Sequence, residues 1–476
     1  MRLFRFLTSM ALLFGLGMSG FAEPLRDWSK QEKLEFMRTN RSKIIPRLAR
    51  MDQPNIVLIL VDDLGYGDLG CYGQEKIKTL YLDQMAKEGL RFTSAYAGST
   101  VCAPSRSSLM TGQHTGHTRV RGNAEVPLQT NDVTVAEILQ KSGYITAMIG
   151  KWGLGLEDTS GEPNRKGFTE TLGYYDQTLA HNYFPESLWR NGQKLPLAGN
   201  KDGKKEVYAP DLFARSAVNF MNQYKQSPFF LYFACTLPHA NNELGRKSGN
   251  GMEISSDHPY TGFDWPQPEK NKAAMITRID VYVGMILDTI KKLNLDRQTI
   301  VIFTSDNGPH QEGGVDPAFF KSSGPLRGIK RDLYEGGIRV PAIVRWPGQV
   351  APGTTSDFPW AFWDFLPTAA ELAKAPLPDG LQIDGQSIVP TLHGKPQKPH
   401  DFLYWEFHEK GSQQAVRMGD WKAVRKFGGA LELYDLKSDL GETNNVASAH
   451  PDEVKRIEAY LSKARTESAE WPLQSK

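Results

Sequence analysis

Two short acidic groups stand at the ends of apolar runs. Asp62-Asp63 follows residues 56–61, and Asp306-Asn307-Gly308 follows residues 299–304. Carboxylate and amide oxygens gathered in one place suit a hard cation such as Ca²⁺ or Mg²⁺. Taken singly, each group fits an Asx turn better, because Asp and Asn bond to their own backbone at such places. A third segment is of a different kind. Cys102-Ala103-Pro104-Ser105-Arg106 sets a thiol two residues before a proline that suits the first turn of a helix. The mouth of a helix offers free N–H groups and positive potential, which favour a thiolate or an anion. Arg106, four residues on, can share a helix face with Cys102.

These groups need a frame to bring them together. Residues 56–61, 144–149, 229–234, 299–304 and 340–344 are apolar and β-rich, the pattern of strands buried on both faces. Residues 79–89 and 133–143 carry spaced apolar positions and end in Gly, and 271–293 is a longer helical pattern. Strands alternating with helices predict an α/β fold, a mostly parallel central sheet flanked by helices. Such sheets present functional residues at the carboxyl ends of their strands, where both acidic groups lie. Past about residue 385, short segments at 402–407, 414–418, 421–425 and 431–434 predict a small antiparallel sheet. Residues 453–465 then form a closing helix. The expected units are residues 51–384 and a smaller C-terminal α+β subdomain over 385–476.

From about residue 54 to about residue 446 the sequence resembles the type I sulfatases of the alkaline-phosphatase superfamily. The resemblance lies in the Cys102–Arg106 segment with Leu109-Met110-Thr111-Gly112, and in Asp62-Asp63-Leu64-Gly65-Tyr66-Gly67. It continues through Gly150-Lys151-Trp152, Pro238-His239, Asp306-Asn307-Gly308 and Leu326-Arg327-Gly328-Ile329-Lys330, then Glu335-Gly336-Gly337-Ile338-Arg339-Val340-Pro341 and Leu433-Tyr434-Asp435-Leu436. It implies an alkaline-phosphatase-like fold and hydrolysis of a sulfate ester. In that family a separate maturation enzyme oxidises the cysteine, here Cys102, to formylglycine, whose hydrate attacks sulfur. Asp62, Asp63, Asp306 and Asn307 resemble the family's ligands to Ca²⁺ (or Mg²⁺), with the residue at 102 as a further oxygen donor. Arg106, Lys151 and Lys330 resemble its cations around the sulfate. His239 resembles the histidine that protonates the leaving oxygen, as an imidazolium held by the sulfate.

One departure concerns proton transfer. Many members read Gly-Lys-Trp-His-Leu-Gly, whereas this chain has Gly150-Lys151-Trp152-Gly153-Leu154-Gly155. Gly153 cannot carry a proton. His310, three residues beyond Asn307, is the expected replacement, with His181 as a second candidate. His181-Asn182-Tyr183-Phe184-Pro185 and Leu188-Trp189-Arg190-Asn191-Gly192 resemble segments of bacterial polysaccharide sulfatases, which implies a sulfated sugar as substrate. Two other readings remain at this point: a phosphatase or phosphodiesterase of the same superfamily, and a non-catalytic binding protein that kept the fold.

Composition bounds the partners. The 476 residues are 40% hydrophobic and 23% charged, ordinary for a globular chain. Arg2 and Arg5 precede an apolar stretch to about Phe21, and Gly20-Phe21-Ala22 supplies small residues for cleavage, so 1–22 reads as an export signal. Residues 23–50 are a polar leader. The formal net charge is +2, and loss of Arg2 and Arg5 brings it to neutrality. That leaves no field for nucleic acid. No segment has the apolar length for stable membrane insertion, and the mature protein is expected in the periplasm or outside the cell. Cys71 and Cys235 are open to one bridge or to burial as free thiols.

Overall fold

The computed structural model describes residues 53–475, so the expected export signal and leader lie outside the described residues. The strands of the large sheet are β1 (Asn55–Val61), β2 (Leu90–Tyr96), β3 (Ile145–Lys151), β4 (Glu170–Tyr174), β5 (Ser187–Arg190), β6 (Gln193–Pro196), β7 (Phe229–Ala234), β8 (Thr299–Ser305), β9 (Arg339–Arg345), β10 (Thr354–Ser356) and β11 (Trp360–Ala361). Their order is β10-β2-β9-β8-β1-β7-β3-β4-β5-β6, with β11 also on β2. The centre, β8-β1-β7-β3-β4, is parallel throughout. β9 runs antiparallel to both β8 and β2. The mostly parallel sheet expected from the sequence is therefore present.

The central strands are buried on both faces, which accounts for their unbroken apolar character. Val57, Ile59 and Val61 of β1 point into one core cluster, with Phe213 and Ala217 of α4 (Ala209–Tyr224) and Ile276 and Val283 of α5 (Gln267–Lys292). Leu82 and Met85 of α1 (Leu80–Lys87) lie on the same side. Ile56, Leu58 and Leu60 point the other way. They meet Leu109 of α2 (Cys102–Thr111), Ile138 of α3 (Val135–Lys141) and Leu366 of α6 (Phe365–Leu372). The period of two along a strand divides the side chains between two helical layers.

A second sheet, β12 (Leu403–Phe407), β13 (Gln413–Met418), β14 (Trp421–Lys426) and β15 (Glu432–Asp435), is antiparallel in chain order. Alternation again decides its packing. Leu403, Trp405 and Phe407 face Tyr96, Val101 and Trp363 of the large body. Tyr404, Val416 and Leu433 face Ile457 and Leu461 of the closing helix α7 (Pro451–Leu461). Trp405 Nε1 donates to Ala97 O at 2.9 Å, so this sheet is fastened beside the start of α2.

The described cysteines are free: Cys102 and Cys235 are buried and Cys71 is partly exposed. Among the described residues, no helix is long and apolar enough to cross a membrane.

Candidate active site

The site begins where β1 ends. Asp306 N donates to Val61 O, and Asp62 N donates to Leu237 O, both at 3.0 Å, so the ends of β1, β8 and β7 are tied together. Asp63 then adopts a left-handed backbone, φ 67°. That conformation is uncommon outside glycine, and Asp tolerates it better than most residues. It is held by Asp63 N donating to Asp306 Oδ1 at 3.1 Å and Leu64 N to Ser305 Oγ at 2.9 Å. The turn brings Asp62, Asp63, Asp306 and Asn307 into one wholly buried group.

Cys102 is the first residue of α2, as the position of Pro104 predicted. Its thiol donates to Asp62 Oδ1 at 3.1 Å. Arg106, one turn on and fully buried, donates from Nε and Nη2 to Asp306 Oδ2 at 3.0 and 2.8 Å. Its Nη1 donates to Lys151 O at 2.8 Å, which secures the end of β3. Lys151 Nζ reaches Asp62 Oδ2 at 2.8 Å, and Lys330 Nζ reaches Asp63 Oδ2 at 2.7 Å. The ligand atoms of Asp62, Asp63, Cys102 and His239 all lie within 4.8 Å of one another.

The electrostatics follow from this crowding. Burial opposes the charge on Asp62, yet Lys151, His239, Arg106 and Lys330 together hold its carboxyl well below the usual range. Burial and the neighbouring Asp62 carboxylate push Asp306 up to about 7 despite Arg106. Burial and Asp62 also push the Cys102 thiol well up, which disfavours its thiolate. Carboxylates crowded to this degree are what a divalent cation relieves. Asn307 supports the same conclusion: its Nδ2 donates to Asp63 Oδ1 at 2.7 Å, while its buried Oδ1 has no hydrogen-bond partner. A free, buried amide oxygen beside carboxylates fits a hard cation.

His239 lies between the backbone and Lys330. Nδ1 donates to Ala240 O at 2.7 Å, and Nε2 lies 3.2 Å from the Lys330 ammonium, which can only donate. Burial and Lys330 hold its pKa well below that of a free imidazole, so the resting ring is neutral.

His310 enters the site, as its nearness to Asn307 led us to expect. It is buried, with Asp63 and Glu312 nearby. Its Nδ1 accepts from Glu312 N at 3.0 Å and its Nε2 donates to Pro238 O at 3.2 Å. Both ring nitrogens serve the backbone, so neither is free to exchange a proton with residue 102. His181 instead stacks on His239, ring centroids 4.6 Å apart at 12°.

Three neighbours were not found from the sequence. Glu312 lies 3.6 Å from Lys330 and pairs with Arg331 at 2.6 Å. Glu243 accepts from His181 Nδ1 at 3.1 Å. Gln177 donates to Gly153 O at 3.3 Å. All three lie outside the recognisable segments, and no spacing marked them.

The chain is similar to known sulfatases. The sulfatase family model matches residues 54–375, and that of the N-sulphoglucosamine sulphohydrolase C-terminal region matches residues 329–469. The chain belongs to the sulfatase family and is a sulfuric ester hydrolase. It is 34% identical to arylsulfatase A of Homo sapiens, over 89% of this chain and 90% of that protein. It is 29% identical to the N-acetylgalactosamine-6-O-sulfatase of Bacteroides thetaiotaomicron, over 87% of this chain and 93% of that protein. The crystal structure of Ps i-CgsB in complex with k-i-k-neocarrahexaose superposes with a TM-score of 0.76 at 29% identity, over 89% of this chain and 95% of that one.

Proposed function

We propose that this sulfatase cleaves sulfate esters of carbohydrates, using formylglycine made from Cys102 and a divalent cation, Ca²⁺ or Mg²⁺, held by Asp62, Asp63, Asp306 and Asn307. The observation that carries the reading is the placement of Cys102. A buried thiol at a helix mouth touches Asp62 at 3.1 Å, with Lys151 on that carboxylate's other oxygen. The hydrated aldehyde would supply the attacking oxygen, and a cation held by these residues would lower the pKa of that hydroxyl.

The chain's own residues do the remaining work. Arg106, Lys151 and Lys330 converge from α2, β3 and the loop before β9, and they hold the sulfate oxygens as negative charge shifts in the transition state. Burial makes those charges count for more than they would in water. With sulfate bound, His239 acts as the imidazolium whose Nε2, beside Lys330 Nζ, passes a proton to the departing oxygen. A carbohydrate substrate is supported by the likeness to the 29% identical N-acetylgalactosamine-6-O-sulfatase and to Ps i-CgsB in complex with k-i-k-neocarrahexaose. In this reading residues 1–22 direct export, 51–384 form the catalytic domain and 385–476 the subdomain. A formylglycine-generating enzyme is a transient partner.

The test is turnover of aryl sulfate against aryl phosphate, and of sulfated sugars, by protein co-expressed with a formylglycine-generating enzyme. The residue-102 peptide should be about 18 Da lighter than its cysteine form. Dominant phosphatase activity, or full sulfatase activity with an intact thiol at 102, overturns the reading.

A further inference from the structure

Gly153 leaves the site without the histidine that many relatives carry, and the surrounding structure has closed over that position. Gly153 lies at φ 75°, and a Cβ built there would sit 1.9 Å from Gln177 Nε2. The Gln177 amide occupies the space a side chain at 153 would enter. Four residues beyond Gln177, the turn Leu179–His181 carries the His181 imidazole, on which Lys151 and Asp62 both act. The His181 ring lies flat against His239, whose Nε2 belongs to the group formed with Cys102, Asp62 and Asp63.

From this geometry we infer that His181, oriented by Glu243, is the residue that exchanges a proton with residue 102 in place of a histidine at 153. The inference rests on the sulfatase reading above. Glu243 Oε2 is 3.1 Å from His181 Nδ1. A carboxylate accepts only, so Nδ1 carries the proton and the lone pair is on Nε2. Among the described residues, Nε2 has no hydrogen-bond partner, in contrast to both nitrogens of His310. The groups acting on the ring are Lys151, Glu243 and Asp62, with His239 stacked on its face. Burial and then Lys151 lower its pKa, which keeps the resting ring a base. In the step assigned here an O–H bond at residue 102 breaks, its electron pair stays on oxygen, and an N–H bond forms at His181 Nε2. The proton then passes to bulk water, and no further reactant is needed. Glu243 is a positioning residue that fixes the tautomer.

Two measurements test this. In protein retaining Cys102, ¹⁵N spectra of the histidine rings report tautomer and contact. His181 should be protonated at Nδ1, and saturating inorganic sulfate should shift its Nε2 resonance. A resonance that sulfate leaves in place overturns the inference. In matured protein, His181→Gln should keep a fast first release of phenol from an aryl sulfate. Its steady-state kcat should fall about 10²- to 10³-fold, within the usual range for loss of an acid–base group, with little change in KM. An unchanged kcat, or equal loss in both phases, overturns it. Glu243→Gln, at a side chain 44% exposed, should lower kcat about tenfold with the fold intact and change the tautomer signal. Failure of wild-type matured protein to hydrolyse aryl sulfate would count against the sulfatase reading instead, and the spectra would still place His181.

Discussion

Cys102 and Lys151 are held by the two oxygens of a single carboxylate. Asp62 Oδ1 accepts the thiol at 3.1 Å and Oδ2 accepts the ammonium at 2.8 Å. Cys102 at the mouth of α2 and the ammonium at the end of β3 are thereby set relative to each other by a residue at the end of β1. A change at any one of the three is felt at the others.

Replacing Lys151 should therefore cost more than one charge. Lys151→Ala leaves Asp62 with one fewer cation in a fully buried place, and removes positive charge from the sulfate. Steady-state kinetics on matured protein should show kcat lower by about 10²- to 10³-fold, the usual cost of losing one such stabilising group. Lys151→Arg should rescue little, because a planar fork does not fit a point contact in a closed site. Activity within threefold of wild type would remove Lys151 from the chemistry.

Cation binding should stabilise the fold. A ligand bound only by the native state at a hundred times its Kd adds about 2.7 kcal/mol. Thermal melts with and without Ca²⁺ or Mg²⁺ should differ accordingly. Asp63→Asn and Asp306→Asn should lose that difference, and calorimetric titration should show no binding. A cation-induced rise that survives both substitutions would place the ion elsewhere.

Restoring a histidine at 153 should not restore the relatives' arrangement. A residue with Cβ at φ 75° costs on the order of 1–2 kcal/mol, and Gln177 must also move aside. Gly153→His should melt lower than wild type and gain no activity. The double variant with Gln177→Gly should recover part of the lost melting temperature.

Acid should loosen the small sheet where Glu406 anchors it. This buried carboxylate accepts from Arg121 Nη1 and Arg465 Nε at 2.9 Å and from Tyr404 OH at 2.8 Å. Burial opposes its charge, but His408, Arg121 and Arg465 prevail and lower its pKa to about 2. A folded pKa below the unfolded one gives stability that is full above about 4.5 and is lost as pH falls toward 2. The loss should be on the order of 3 kcal/mol in denaturant melts across that window. Glu406→Gln should be less stable at pH 7 and should show a flatter acid limb.

The parts legible in the sequence were those whose local chemistry decides the outcome. β1, β3, β7 and β8 are buried on both faces, so their apolar runs are unbroken. The acidic groups follow strands directly, and Pro104 marks the start of α2. β2 was not found, because Arg91 and Thr93 interrupt it and its pairing with β9 shifts register between Phe92 and Ala95. The stack of His181 on His239 was not legible either. Fifty-odd residues separate the two rings, and only the tertiary path from β4 to β7 joins them. The place of His310 beside Asp63 was legible from its nearness to Asn307, but which backbone groups its two nitrogens would meet was not.

The burial of Cys102, at 1% exposure, has a practical consequence for anyone preparing this protein. Cys235 is equally hidden, and burial and Asp83 push the partly exposed Cys71 up to about 12. A folded sample should react sluggishly with thiol reagents whatever stands at position 102. Unfolding it in the presence of such a reagent should release three reactive groups from immature chains and two from mature ones. The difference gives the competent fraction of a preparation without any substrate, and specific activities should be scaled by that fraction before variants are compared.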